Sequence, residues 1–440
     1  MLNKKILFIE NRVNIYPYDK IAKNLIKKKI EVNWLVQNNL FLPKNGNIYK
    51  IPYPQKKNLQ KSKQYKDLIL KDRNIKFFQS SSDHYDYYYN EIKKLLKKIK
   101  PNIVIGEATL FHELLTIQLC KELKIKYIFM QSARILVDRL CFYESDNLKY
   151  IYGEKKKLSN KKLNNILQNI KSKKNLVYKK TMSNQSTNLI KNFYFWIKIF
   201  YSRVMGEKYN TPNLFIKVYL SIKLIINKIK WKIYSLNKNT TIINTHKFKI
   251  LYTMQLQPEM NIDVWGFPHN DQYKIISSLI KISKKVDGLV FVKINPKMKY
   301  ELNSKIIELK NKNIFFLDDN FRLSGNLNKF DLVFNITGSI LIEAAINRIP
   351  AVTFTRSNLF NITGIKIINK YDDLIKIINQ IKNKKYIFST DNEVKKIINF
   401  HYSSSYSIKR INYNYSNLKF EKKNILKISN LISNIVKFQK

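Results

Sequence analysis

At 440 residues the chain is too long for one ordinary domain, and its length points to two or three. A hydrophobic content of 45%, with only 9 glycines and 10 prolines, excludes wholesale disorder and collagen-like or linker-rich arrays. The 81 basic residues against 31 acidic ones leave a formal charge of +50, a field suited to anionic headgroups or acidic glycans, although joint over-use of lysine, asparagine and isoleucine explains much of it.

The opening run Ile6-Leu7-Phe8-Ile9, closed by Glu10, is too short for a secretion signal and suits a first buried strand. Lys5–Ile9 therefore reads as a strand, Asp19–Lys29 as a helix and Glu31–Val36 as a second strand. After a basic, aromatic loop region, Asn90–Lys100 is helical and stops before Pro101. Asn102–Ile105 follows as a strand, Phe111–Leu123 as a helix and Tyr127–Met130 as a strand. Buried β-branched strands separated by helices of this length predict a parallel sheet with helical crossovers. Cys120 falls in a predicted helix and Cys141 beyond a strand; without paired spacing they read as buried filler in a reducing compartment.

Residues 151–245 are rich in lysine and asparagine and show no clear strand. Two aromatic and basic segments, Asn192–Met205 and Asn213–Leu236, carry Tyr194-Phe195-Trp196 and Leu214-Phe215-Ile216 among lysines. They read either as an ordinary helical insertion packed on the core or as interfacial amphipathic helices. No stretch reaches 18 apolar residues free of charge, so no bilayer span is expected and the chain reads as cytoplasmic.

From Lys249 the alternation restarts, with strands at Ile250–Met254, Leu289–Lys293, Ile314–Leu317, Leu332–Asn335 and Ala351–Thr355. Helices are expected near Gln272–Lys284, Lys299–Lys310 and Ser339–Asn347, and further helices from Asp372 onward. The organisation is thus α/β: residues 1–150 form one doubly wound unit, 151–245 a helical basic insertion, 246–385 a second doubly wound unit, and 386–440 helices packing back.

Chemistry concentrates where strands end. At Asn335-Ile336-Thr337-Gly338-Ser339 a buried strand turns through small residues into a helix, offering backbone N–H groups and hydroxyls to a phosphate, with Glu343 one turn in; a plain N-cap is the simpler reading. Tyr252 to Glu259, continuing to Trp265-Gly266-Phe267 and Asp271-Gln272, spills polar residues from a strand into a long loop. Val292-Lys293-Ile294-Asn295-Pro296 is a third polar strand end, where Lys293 is either a phosphate partner or a surface lysine. In the first unit Glu107, after Ile105-Gly106, is the best-placed general base, or else a helix-start glutamate favoured by the dipole. Beyond the next strand, Arg134 and Arg139 could grip a carboxylate or phosphate. Loop-borne His269 could assist a phosphate, Asp318-Asp319 reads as a turn, and the five histidines form no zinc pattern. No Walker loop, nucleophile elbow, dinucleotide fingerprint or nucleic-acid module is present, which removes P-loop NTPases, α/β-hydrolases, ordinary dehydrogenases and nucleic-acid partners.

Ile105-Gly106-Glu107, Ser132-Ala133-Arg134-Ile135 with Asp138-Arg139, Gln257-Pro258-Glu259, Val292 to Pro296, and Thr337-Gly338-Ser339 with Glu343 occur in an order that resembles bacterial capsule polysaccharide synthesis proteins. That family includes GT-B transferases using CMP-linked Kdo and is distantly similar to bacterial GT-B sialyltransferases. The resemblance covers residues 100–145 and 248–365, roughly. It implies a GT-B-like fold: two Rossmann-like domains facing across a cleft, the first for acceptor and the second for a nucleotide sugar. It implies Glu107 as the catalytic carboxylate, and Lys293, Asn295, Thr337, Gly338, Ser339 and Glu343 as donor-binding residues. Arg134, Arg139, Gln257 and Glu259 would orient substrate. It also implies no metal and no cofactor, a nucleotide-sugar donor (CMP-linked sugars first) and a lipid-linked or polysaccharide acceptor; the basic charge adds a surface suited to peripheral placement at the anionic inner membrane. One departure stands out: the family usually has Lys-Glu-His-Pro where this chain has Lys293-Ile294-Asn295-Pro296, so a histidine expected on the donor phosphate is an amide that carries no charge. A GT-B-type nucleotide-sugar epimerase, or a degenerate non-catalytic relative binding membranes or glycans, remains as the alternative.

Overall fold

Short runs of β-branched and aromatic residues, buried on both faces in the central strands, form two separate sheets, as parallel sheets with helical crossovers require. The computed structural model describes residues 4–61, 64–136, 138–171, 189–236, 245–295, 297, 301–310, 313–318, 321–323, 325–408 and 422–437. Val137, Pro296 and Asp319 lie outside the described residues, as does the side chain of Phe195.

The first sheet contains β1 (Lys5–Ile9), β2 (Glu31–Val36), β3 (Asn47–Lys50), β4 (Ile103–Ile105) and β5 (Lys126–Ser132), all parallel, in the order β3-β2-β1-β4-β5. It is extended by antiparallel β6 (Arg139–Glu144), against which β7 (Tyr150–Tyr152) and the late strand β14 (Tyr406–Ser407) pair. The core joins Ile6, Phe8, Trp34, Ile105 and Phe142 to Ile425, Ile428 and Ile432 from the last helix, Lys422–Lys437. Phe8 stacks on Trp34 with ring centroids 4.8 Å apart.

The second sheet has six parallel strands: β8 (Phe248–Thr253), β9 (Gly288–Lys293), β10 (Ile314–Leu317), β11 (Leu332–Phe334), β12 (Ala351–Thr353) and β13 (Ile365–Ile367). Their order, β10-β9-β8-β11-β12-β13, is the 3-2-1-4-5-6 of the dinucleotide-binding Rossmann sheet. The expected doubly wound α/β class is therefore met by each sheet. Strand positions match within about two residues at each end. Among the described residues of the expected helix Lys299–Lys310 there is one turn, Ser304–Ile307, and Cys141, read as lying beyond a strand, is in the interior of β6.

The division of the chain differs from a simple run of domains. One compact unit comprises residues 1–154, 180–216 and 404–440, and the other residues 155–179 and 217–403. Residues 151–245, expected as one insertion, are divided between the two units. Ile199, in the helix Leu189–Val204, joins the first sheet's core, whereas Trp231, in the helix Leu214–Leu236, joins the second's and packs on Phe316 at 4.4 Å. The C-terminal region is likewise shared. The helix Asp391–Ser403 stays with the second unit, and β14 and the final helix return to the first.

Candidate functional site

In an open doubly wound sheet, ligands bind where the strand order reverses, at the carboxyl ends of the two strands flanking that point. In the first unit those strands are β1 and β4, and the residues that follow them are Glu10-Asn11-Arg12 and Gly106-Glu107. Asn11 links the two ends: its Nδ2 donates to Glu107 Oε2 at 3.4 Å, to Thr109 Oγ1 at 3.1 Å and to Glu113 Oε1 at 2.9 Å. Asn14 Nδ2 donates to Glu107 Oε1 at 2.5 Å. Gly106 is required by close approach, since a Cβ there would run into the Tyr127 hydroxyl and lie 3.0 Å from Ile9 Cβ. That hydroxyl donates to the Glu107 carbonyl.

Glu113, in the first turn of the helix Phe111–Glu122, is buried and fully occupied. It accepts from the backbone N–H groups of Glu107 (3.0 Å), Thr109 (3.0 Å) and Leu110 (2.9 Å), holding its negative charge at the helix start. Glu107 is half-buried beside it. Burial first, and the Glu113 charge second, push the Glu107 carboxyl well above the usual carboxylate range, against the lowering pull of Arg73 and the Asn14 hydrogen bond. A carboxylate of raised proton affinity, anchored by two asparagine amides, is suited to accepting a proton.

Next to it lies a buried polar cluster that the sequence reading did not identify. Glu10 accepts from the N–H groups of Arg12 (2.5 Å) and Asn38 (3.0 Å), and burial raises its pKa. Arg12 Nη2 donates to the Asn210 carbonyl at 2.7 Å and to Thr211 Oγ1 at 2.9 Å, and pairs with buried Glu207 at 3.4 Å. Asn210 Nδ2 donates to His112 Nδ1 at 3.0 Å, which leaves His112 Nε2 to donate to the Glu10 carbonyl at 2.7 Å. Residues 202–211 thus close over the ends of β1 and β2. The available signal was the run Glu10-Asn11-Arg12, polar immediately after a buried strand.

The two arginines have other tasks. Arg139 lies in β6, and its guanidinium donates to Ser405 Oγ at 2.6 Å and the Ser405 carbonyl at 2.7 Å and pairs with Glu154 at 3.2 Å. It fastens the returning C-terminal segment to the sheet. Arg134 carries its charge next to Cys141, whose burial pushes the thiol up to about 12, and to Tyr143, to which it hydrogen-bonds.

In the second unit the reversal falls between β8 and β11. Gln255, just past β8, spans it: its Nε2 donates to Thr337 Oγ1 at 2.7 Å, and its Oε1 accepts from the Thr337 N–H at 3.3 Å. Gln272, first residue of the helix Gln272–Lys285, accepts from the Gln255 N–H (2.8 Å) and the Tyr252 hydroxyl (3.0 Å) and donates to the Gln255 carbonyl (2.7 Å) and Gln257 Oε1 (3.0 Å). Gln257 continues to Asp263 at 2.7 Å, and Asp263 accepts from the Glu259 N–H at 3.0 Å. Gln257 is therefore a buried scaffold residue, and Glu259 stands half-buried at the start of the turn Met260–Asp263, where it accepts from Asn261 at 3.0 Å.

Thr337 is fully buried and donates to the Asn261 carbonyl at 2.6 Å, and the Gly338 N–H donates to Asn335 Oδ1 at 2.7 Å. Both groups expected on a phosphate are thus engaged inside the unit. The following helix, Ile340–Ile346, has only 7 residues. Ser339 and Glu343 remain half-exposed, with Ser339 Oγ donating to Glu343 Oε1 at 3.2 Å, and burial raises the Glu343 pKa. Lys293 ends β9 almost fully buried; Asn295 turns its side-chain oxygen onto the Lys297 N–H at 2.9 Å, leaving its amide hydrogens for other partners. His269 stacks on Phe354 at 3.9 Å, and burial lowers its pKa, so it serves as a neutral packing ring.

No family model matches this chain, and no curated protein matches it in sequence. Solved structures do. The beta Kdo 2,7 transferase KpsC of Thermosulfurimonas dismutans is similar over 98% of this chain and 100% of its own, at 10% identity and a TM-score of 0.38. The UDP-GlcNAc 2-epimerase of Methanocaldococcus jannaschii is similar over 90% and 99%, at 15% identity and 0.28. MurG of Acinetobacter baumannii is similar over 98% and 99%, at 11% identity and 0.28. Scores this low carry no argument, and the functional reading stands on the residues.

Proposed function

We propose that this chain is a glycosyltransferase of the GT-B kind, moving a sugar from a nucleotide donor onto a capsule or surface-polysaccharide acceptor. An acidic sugar such as Kdo, carried on CMP, is the first donor to test. The observation that carries the reading is Glu107: a carboxylate of raised proton affinity, held by Asn11 and Asn14 at the reversal point of a doubly wound sheet. A second sheet of Rossmann order, with Ser339 and Glu343 half-exposed at its own reversal point, supports a nucleotide partner.

In this reaction Glu107 takes the proton of the acceptor hydroxyl as its oxygen bonds to the anomeric carbon. The bond from that carbon to the donor phosphate oxygen breaks, and negative charge passes to the leaving nucleotide. The Ser339 hydroxyl and Asn295 amide are assigned to that phosphate, Lys293 supplies positive charge, and Glu343 takes a ribose hydroxyl. A lipid-linked acceptor would have the chain working beside a membrane.

The test is product analysis with purified protein over a panel of CMP- and UDP-sugars, with and without acceptor, comparing Glu107→Ala and Ser339→Ala. Undiminished turnover in both variants refutes the site. Conversion of the donor sugar without acceptor favours an epimerase. Absence of any donor-induced rise in melting temperature across the panel favours a non-catalytic relative.

A further inference from the structure

The helix Leu214–Leu236 has two faces. Asn227, Trp231 and Ser235 are buried in the second unit, and Asn227 Nδ2 donates to the Leu302 carbonyl at 2.9 Å. The opposite face carries Phe215, Tyr219, Ile222, Ile226, Ile229 and Ile233, each between 46% and 82% exposed. Their steps of four, three, four, three and four residues put them on one line of a helix that turns about 100° per residue. A soluble surface helix shows polar residues on its outer face, so this pattern is inverted.

Its charge is as one-sided as its hydropathy. The helix contains Lys217, Lys223, Lys228, Lys230 and Lys232 and no acidic residue. On the same wheel Lys223 and Lys230 flank one side of the apolar line and Lys232 the other, while Lys217 and Lys228 lie further round towards the buried face. Among the described residues no helix is long and apolar enough to cross a membrane, and these lysines are the reason for this one. An apolar ridge with basic flanks suits a helix lying in the plane of a bilayer, side chains among the acyl chains and ammonium groups at the phosphates. The helix Leu189–Val204 of the first unit also exposes aromatic residues, Tyr194 and Trp196, of the kind that settle at headgroup depth.

We propose that the Phe215–Ile233 ridge docks this protein in the plane of an anionic lipid bilayer. A second copy of the chain is the poorer occupant, because it would bring a second set of lysines, on a molecule of charge +50, against the first. The proposal is independent of the transfer reaction, since its test uses no donor.

The experiment is co-sedimentation of the full chain with vesicles of phosphatidylglycerol mixed into phosphatidylcholine, read at low and high salt. Attraction through the basic surface alone is abolished by salt; ridge insertion persists. In Phe215→Ser/Ile222→Ser/Ile226→Ser/Ile229→Ser every lysine remains and every changed side chain is exposed. It should unfold at the wild-type temperature, yet its high-salt partition should fall at least about tenfold. As an independent readout, Ile222→Cys takes a polarity-sensitive label selectively because Cys120 and Cys141 are buried. Its emission should shift to the blue on vesicles, and that of labelled Lys274→Cys should not. Unchanged partition of the serine variant, or equal response at the two labels, would overturn the proposal. So would a wild-type dimer in solution that the four serines dissolve.

Discussion

The two sheets reverse their strand order at equivalent points and fill those points with opposite chemistry. At the ends of β1 and β4 stand carboxylates, Glu10, Glu107 and Glu113, with burial and the neighbouring Glu113 charge raising the proton affinity of Glu107. Between β8 and β11 stand amides and a hydroxyl, with Gln255, Gln257, Gln272 and Thr337 bonding one another and Gln257 continuing to the Asp263 carboxylate. A network built mainly of neutral amides fixes shape, which suits holding a ligand. Carboxylates pushed together form a site whose proton occupancy responds to its surroundings, which suits chemistry. Topology thus supplies the position, and residue type divides the work.

The largest effect should come from the acidic point. Glu107→Gln keeps the size and, through its one amide oxygen, one of the two asparagine contacts, but cannot accept a proton, and turnover should fall about 10²–10⁴-fold with the fold intact. Normal turnover would make the first reversal point structural only. The pH dependence follows from the raised pKa: the base must be ionised, so kcat/KM should fall, as pH decreases, through a value well above the ordinary carboxylate range. Stability runs the other way. The folded chain holds this proton more tightly than the unfolded one, so stability should decline as pH rises from the ordinary carboxylate value through the raised one. Denaturant midpoints across that window should be flatter in Glu107→Gln.

The neutral point should respond in stability first. Gln272→Ala strips partners from the Tyr252 hydroxyl, both backbone groups of Gln255 and Gln257 Oε1. A cost of about 3 kcal/mol is expected, read as a lower denaturant midpoint at constant slope. Arg139→Met tests whether that residue belongs to either point. Breaking a buried ion pair costs about 3–5 kcal/mol, discounted here to about 2 because the Glu154 side chain keeps 18% of its exposure. Melting temperature should drop with donor KM unchanged; a changed KM would return Arg139 to the substrate. The smallest change should be Ser339→Ala, with donor affinity weakened about fivefold, or about 1 kcal/mol.

Most strands were legible because each is a short run of buried β-branched residues ended by a polar one, as at Ile6–Glu10 and Leu332–Asn335. Glu107 and the Gln255–Gln257 stretch were found by the same rule. Asn11, Asn14 and Glu113 were not, although Asn11 satisfies that rule too; their role appears only when β1 and β4, nearly 100 residues apart in sequence, lie side by side. The engagement of Arg139 was not legible because Ser405 comes just before a return strand, β14, that nothing local announces, and Glu154 meets it only when β7 folds back beside β6. The shared ownership of residues 151–245 was hidden for a related reason: a lone Ile199 or Trp231 looks alike whichever core receives it.

The chain changes unit four times, near 154, 179, 216 and 403, so neither half can be excised by a single cut. During synthesis β1 emerges with one flank of Phe8, Ile15 and Ile21 uncovered, and the isoleucines of Lys422–Lys437 that seal it follow only after the whole second unit. Premature termination between β13 and Lys422–Lys437 would therefore leave the core of the first sheet open and prone to aggregate, even with every proposed catalytic group already synthesised.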